Sequence, residues 1–385
     1  MRILQLGKFY PIRGGVEKVM WDLTRGLAGR GVPCDMLCAT LPNDGVDPED
    51  RPFHGTEDGV SILRFPDGRT IYCVKALAKR AATMLSPAMV RWLRRHRKEY
   101  DIIHVHHPDP MAALALRLSG FRGKVVLHWH SDILSQRILL ECYKPLQRWL
   151  IRRADAIVGT TPVYLSSSPY LRNVQEKCTA VPIGIDPVRY DPDSARSLRD
   201  RFPGKRIILT VGRLVPYKGL PYLIDAMSLL PDMYHLVIGG DGPLRDELTD
   251  RIRSASLEDR ISMIGFVSSE DLTSWFGACD VFVLGSVLKT EAFGIVQVEA
   301  MSCGKPVIAT KIPGSGVSWV NKHGVSGLNV EPRDPKALAD AIIEVTERQE
   351  HYGAGARRLF EERYHFDLMI DRIQALYASL DQPCL

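Results

Sequence analysis

The chain has 385 residues, 45% hydrophobic and 25% charged, with a formal net charge of +5. That length suits two domains with separate cores, and the balance excludes a disordered or fibrous chain. No run of 18 apolar residues occurs, which excludes a spanning helix.

MRILQLG (1–7) opens the chain as a strand, with no basic segment and apolar core ahead of it, so no signal peptide is expected. In GKFYPIRGGVEKV (7–19), Gly14 and Gly15 open a helix that carries Val16, Val19 and Leu23 inward. Paired glycines let backbone approach a phosphate or sugar closely. The spacing fails the G-x-G-x-x-G fingerprint, which argues against a nicotinamide cofactor. Strands are expected at 34–40, 60–65, 101–107, 124–130 and 156–161. The eight cysteines are scattered through apolar segments, as buried reduced thiols are. Cys34 and Cys38, the one close pair, have no second pair to complete a zinc site.

Residues 71–98 hold Lys75, Lys79, Arg80, Arg91, Arg94, Arg95, Arg97 and Lys98 and no acid, interleaved with Met84, Leu85, Met89, Val90, Trp92 and Leu93. This reads as a basic amphipathic helical stretch broken near Pro87, with a second cluster at Arg148, Arg152 and Arg153. Such a stretch is either a solvated face or a docking face for an anionic membrane surface. No nucleic-acid module accompanies it, so no nucleic-acid partner is expected.

His104, His106 and His107 end one expected strand, and His128 and His130 another. A binuclear metal hydrolase would need ligands from later strands, where His235 stands alone. One ligand-facing histidine per strand end is the better reading, with His104 and His128 in the core. Residues 183–205, rich in proline and glycine, are the expected linker. Within them Asp191-Pro192-Asp193 imitates a metal-binding D-x-D but lacks a preceding strand, and is read as coincidence.

A second set of strands is expected at 206–212, 234–240, 261–267, 281–286 and 306–310. Alternation with helices throughout implies parallel sheets covered on both faces. In VGRLVPYKGL (211–220), Arg213 and Lys218 lie in a strand-to-helix loop, where two cations can neutralise a leaving diphosphate in place of a metal ion. GGDGPLRDEL (239–248) and IGFV (264–267) follow. Next comes the apolar strand VFVLGS (281–286), then Glu291, a glycine turn at Phe293-Gly294-Ile295, and Glu299 on the helix beyond. Free amides at that helix start can hold an anion. Carboxylate, diphosphate seat and carboxylate match the order of a nucleotide-activated sugar: hydroxyls, diphosphate, ribose. The helices over 334–381 show no further strand.

The segment 281–310, the Gly14-Gly15-Val16-Glu17 element, the Gly212-Arg213 and Lys218-Gly219 pairs, the Gly240, Gly242, Pro243 turn and the HWHSD run (128–132) together resemble the GT-B glycosyltransferases of family 4. The resemblance implies two Rossmann-like doubly wound α/β domains facing a cleft, with the C-terminal helix crossing back to the N-terminal domain. It implies an acceptor domain over 1–183 plus 366–385 and a donor domain over 184–365. It further implies retention of anomeric configuration without metal or cofactor. By it, His130, Asp132 and Glu291 are the candidate catalytic residues, with Glu291 orienting the sugar hydroxyls. Gly14, Gly15, Arg213, Lys218, Val267 beside the nucleobase, Phe293, Gly294, Ile295 and Glu299 on the ribose are the candidate donor-binding set.

TEAFGIVQVEAM (290–301) followed by IPGSGVSWVNKHGVSGLNV (312–330) is most similar to bacterial mannosyltransferases of O-antigen (lipopolysaccharide) or capsule assembly, with Lys289 departing from the small or acidic residues often found near there. That implies GDP-mannose as donor, with UDP-hexose open, and a lipid-linked saccharide acceptor. The enzyme would then be cytoplasmic, held peripherally at the inner face of the cytoplasmic membrane. A GT-B sugar-nucleotide epimerase is the alternative of another class; it would share the nucleotide site and interconvert without an acceptor.

Overall fold

Eleven strands among the described residues precede Val181: β1 (Ile3–Phe9), β2 (Cys34–Thr40), β3 (Phe53–Glu57), β4 (Val60–Arg64), β5 (Thr70–Lys75), β6 (Ala78–Arg80), β7 (Thr83–Leu85), β8 (Ile102–His107), β9 (Lys124–Trp129), β10 (Ala156–Gly159) and β11 (Cys178–Ala180). A computed structural model describes residues 1–10, 14–41, 53–80, 83–133 and 137–381. The chain divides into two units, one of Met1–Val181 with the segment from Met369 onward, the other of Pro182–Leu368.

The first unit is a nine-stranded sheet in the order β11-β10-β9-β8-β1-β2-β5-β4-β3. It is parallel except where β4 pairs antiparallel with β5 and β3. Its central strands are buried on both faces, which is why they read as continuous apolar runs. The chain leaves β1 for β2 on one side and returns to β8 on the other. The loops after β1 and β8 therefore part to opposite faces, and such switch points open a crevice beyond the strand ends. The C-terminal helix Phe366–Asp381 delivers Tyr377, fully buried, onto Gln5 of β1 and His104 of β8.

The second unit is a six-stranded parallel sheet, β14-β13-β12-β15-β16-β17, from β12 (Arg206–Val211), β13 (Tyr234–Gly239), β14 (Ile261–Gly265), β15 (Val281–Leu284), β16 (Val307–Thr310) and β17 (Gly327–Val330). Its core joins Ile208, Leu236, Val283 and Ile308 on the strands to Leu223, Ile342 and Val345 on helices. The switch point lies between β12 and β15.

Three expectations are corrected. Residues 71–98 are not one helical stretch: β5 and the β6–β7 hairpin precede the helix Pro87–His96. Register with β2 decides this, pairing Met36 with Ile71 and Cys38 with Cys73, a non-local term invisible to periodicity. The expected linker belongs to the second unit and contains a helix, Pro192–Asp200. Asp191 caps it, accepting from the Ser194 amide at 2.9 Å, which gives that aspartate a structural task. Finally, β14 ends at Gly265, with φ of 72°, so Phe266 and Val267 lie in the following loop.

Candidate functional site

The loops after β12 and β15 meet at the switch point of the second unit. Val287 donates to the Tyr217 carbonyl at 2.8 Å. Gly219, with φ of 67°, has no room for a side chain: a Cβ would stand 2.1 Å from the Gly285 carbonyl oxygen. This close approach brings Lys218 to Glu291, with Nζ 2.6 Å from Oε2 and both side chains mostly buried. Ser286, at the end of the β15 run, donates its hydroxyl to the same carboxylate oxygen at 3.0 Å. The Ser315 hydroxyl donates to the Glu291 carbonyl, and Gly316 to the Ala292 carbonyl at 3.0 Å, fixing the loop's far side.

Gly294 begins the helix Ile295–Ser302 in the left-handed conformation, φ 74°. Gln297, fully buried on that helix, reaches back to the Phe293 carbonyl at 2.6 Å and holds the turn. The first amides of the helix have no intrahelical acceptor and carry its positive end. Phe293 is buried edge-on against Tyr364, and Glu299 is half-buried one turn into the helix. Arg213 is exposed. Val267 is half-buried over Gly239, and Phe266 beside it is 84% exposed.

Thus the fold joins Lys218, Glu291, Phe293, Gly294 and Ile295 around one loop, with Glu299 farther along its helix. Sequence reading did not single out Ser286, Gln297 or Ser315. Ser286 had a usable signal, a hydroxyl ending a buried strand; Gln297 had none, because nothing local marks a glutamine as facing inward.

In the first unit, Gly14 caps the helix Gly15–Gly29, and a Cβ on it would stand 2.7 Å from the Glu17 carboxylate. Lys8, after a turn at Gly7, adopts φ of 57°, donates its amide to Asp109 at 2.5 Å and its ammonium to the Pro108 carbonyl at 2.6 Å. Asp109 also caps the helix Pro110–Ser119. His130 follows β9, is 6% exposed, and its Nε2 lies 2.9 Å from Nδ1 of His106. Asp132 accepts from the Trp129 indole at 3.0 Å and the Ser168 hydroxyl at 2.7 Å, and its amide donates to Tyr164. Those bonds anchor the loop that carries His130.

Burial holds the His104, His106 and His130 rings well below their ordinary pKa of 6.5 and takes His107 and His128 down to about 3. All five are neutral at pH 7. His104, His106 and His128 bring ring nitrogens within 4.8 Å of one another. Their rings, however, stack within 13° to 23° of parallel, which aims in-plane lone pairs side by side. A zinc-like ion needs nitrogens at roughly 2.0–2.1 Å converging on one point. Among the described residues no carboxylate is bonded to these rings to balance its charge. The trio therefore does not fit a metal centre as it stands.

Two family models match the chain: one described as "Glycosyltransferase Family 4" over residues 13–189, the other as "Glycosyl transferases group 1" over residues 195–358. The O-antigen chain mannosyltransferase C of Escherichia coli is 33% identical, covering 99% of both chains. The D-rhamnosyltransferase WbpZ of Pseudomonas aeruginosa is 31% identical over 94% of this chain and 92% of its own. Among solved structures, HepE from Anabaena, in complex with UDP and glucose, superposes with a TM-score of 0.77 at 22% identity, covering 98% of this chain and all of its own.

Proposed function

The chain belongs to the family 4 glycosyltransferases and has their GT-B fold, and from that premise we propose that it moves mannose from GDP-mannose to a lipid-linked saccharide during assembly of a cell-surface polysaccharide. The mannosyltransferase of E. coli, similar from end to end, supports the sugar. The observation that carries the site reading is the loop after β15. Glu291, the free amides of the helix Ile295–Ser302 and Glu299 follow one another along the chain at the switch point, as sugar, diphosphate and ribose do in the donor.

The mechanism follows from where charge develops. As the sugar–phosphate bond breaks, negative charge grows on the diphosphate oxygens. Arg213, the Lys218 ammonium and the helix amides at Phe293–Ile295 stabilise it without a metal ion. Lys218 retains donor hydrogens beyond the one it gives Glu291, so one ammonium can bridge carboxylate and phosphate. Glu291, fixed by Lys218 and Ser286, orients the sugar hydroxyls, and Glu299 binds the ribose. His130, neutral in the first unit, is the candidate ring for a sugar hydroxyl. Asp132 supports its loop, and Gly14 and Gly15 leave room for the donor's close approach.

Titration calorimetry against GDP, UDP and ADP tests the base; GDP is expected to bind most tightly. Preference for UDP would replace the proposed donor with a UDP-hexose, and HepE's complex with UDP makes that the second reading. Transfer is expected to persist in excess EDTA; loss restored by magnesium or manganese would refute the metal-independent mechanism. Product formation only in the presence of an acceptor separates transfer from epimerisation.

The acceptor's lipid requires a surface. No helix among the described residues is long and apolar enough to cross a membrane. The helix Pro87–His96 exposes Arg91, Arg94 and Arg95, and the neighbouring helix Pro110–Ser119 exposes Leu114, Arg117 and Leu118. Arg94 donates to the Leu118 carbonyl at 3.0 Å, joining the two. Leu77, 78% exposed, and Leu85 stand on the β6–β7 hairpin beside them. Cations among exposed leucines suit the headgroup region of an anionic bilayer at the inner face of the cytoplasmic membrane.

A further inference from the structure

One face of the first unit's sheet is polar where its neighbours are apolar. Gln5 on β1, His104 and His106 on β8, His128 on β9 and His130 just beyond it project to the same side. Register explains this: Gln5 stands beside His104 and His106 beside His128, and residues two apart on a strand share a face. Tyr377, from the C-terminal helix, packs on Gln5 and His104. The arrangement is costly. Both ring nitrogens of His128 and Nε2 of His104 are buried without a hydrogen-bond partner among the described residues. Buried polar groups left unpaired destabilise a core, so their presence asks for a reason.

The hydrogen bonds supply one. A neutral imidazole carries one N–H and one lone pair, so directions along a chain of rings are not independent. Gln5 Oε1, which only accepts, lies 2.8 Å from Nε2 of His106. His106 therefore bears its proton on Nε2 and offers a lone pair at Nδ1. That lone pair, 2.9 Å away, accepts from Nε2 of His130. His130 then carries its own lone pair on Nδ1, which has no hydrogen-bond partner among the described residues. At the other end the Gln5 amide donates to the Tyr377 hydroxyl at 3.1 Å, and Tyr377 donates to Nδ1 of His104. Gln5 is thus held from one side while it dictates the other.

We propose that Gln5 and His106 are positioning residues that hold the His130 ring in the Nε2–H tautomer, presenting Nδ1 as an acceptor to a hydroxyl of the reacting saccharide. The proposal rests on the reading of His130 as the ring beside the sugar. Neither Gln5 nor His106 touches substrate; both act through His130. Reversal of the relay would present an N–H to the hydroxyl instead, and the contact would be lost. A cluster that merely filled the sheet face would be indifferent to which way its protons run.

The test is nitrogen-15 NMR of the full-length protein with labelled histidine, the His130 signals being assigned by their disappearance in His130→Gln. The expected state has Nε2 protonated and Nδ1 bare. A proton found on Nδ1 overturns the relay, and this measurement needs no variant in the relay itself. In parallel, Gln5→Met removes the acceptor at nearly constant volume and frees the His106 proton to move. It is expected to lower kcat about 10- to 100-fold with little change in donor KM, and to give a mixture of His130 tautomers. Gln5→Glu restores an acceptor at the same place and is expected to recover most of kcat and the single tautomer. Parental kcat in Gln5→Met would sink the proposal. Parental transfer by His130→Gln would instead sink the placing of His130 beside the sugar, while the NMR result still decides the relay.

Discussion

The Lys218–Glu291 bridge changes how the two acidic residues of the loop are to be separated. Sequence order assigns Lys218 to the diphosphate and Glu291 to the sugar as independent groups; the structure pairs them at 2.6 Å. Removing Glu291 therefore also releases a mostly buried ammonium. Glu291→Ala is expected to lower turnover steeply while leaving GDP affinity nearly intact, because the freed Lys218 still faces the phosphates. Glu299→Ala is expected to weaken GDP binding by about 1.5–3 kcal/mol, roughly ten- to hundred-fold in Kd, since a charged acceptor of ribose hydroxyls is lost. Calorimetry with both variants checks the order. Equal loss of GDP binding in the two would reverse or merge the assignments.

At the scale of elements, the helix Pro87–His96 shows how a correct face can sit in a wrong span. Ser86 caps it, accepting from the Met89 amide at 3.3 Å; Met89, Trp92 and Leu93 face inward, and Arg91, Arg94 and Arg95 face out. The structure also selects the substitutions. Arg94 holds the Leu118 carbonyl and Arg97 the Arg94 carbonyl, so reversing either would disturb packing. Charge reversal at Arg91, Arg95 and Lys98 leaves those bonds in place, at the cost of the exposed Arg95–Asp58 ion pair. The parent is expected to bind anionic vesicles with steep salt dependence, each cation contributing about 1 kcal/mol, and the triple variant to be released. Activity on a short soluble acceptor should be spared. Equal sedimentation of both proteins with vesicles at low salt would remove the membrane docking face.

At the scale of the whole molecule, the buried histidines make the two units respond differently to acid. In the first unit His104, His106, His107, His128 and His130 stay neutral in the fold, with His107 and His128 down to about 3, while the unfolded chain binds protons below 6.5. Their folded pKa lies below the unfolded one, so stability is fully present above about pH 6.5 and is lost as pH falls toward 3. One unit below 6.5, each costs about 1.4 kcal/mol. Asp109, raised by burial, works in the opposite direction but is one group. In the second unit His235 is lowered to about 4, one histidine against five. Denaturant unfolding at pH 7.5 and 5.5 should therefore show the first unit losing several kcal/mol and the second little. An equal shift of both transitions would contradict the neutral-histidine cluster.

The chain's local patterns determined the alternation of strand and helix, the parallel sheets and the loop from Glu291 to Glu299. Apolar runs, glycine turns and helix starts are set by neighbours a few residues apart, and the family resemblance rests on those same stretches. Sequence did not show β3, β5, β11 or β17, whose pairing partners lie outside their own segments, nor that 71–85 is strand and hairpin rather than helix. It did not show that Lys218 meets Glu291, because 73 residues separate them and only the approach of Gly219 to Gly285 brings them together. Nor did it distinguish His106 from His104 and His107 as the ring bonded to His130. That choice was made by strand register and by Gln5, 101 residues away, across a sheet that only the folded chain assembles.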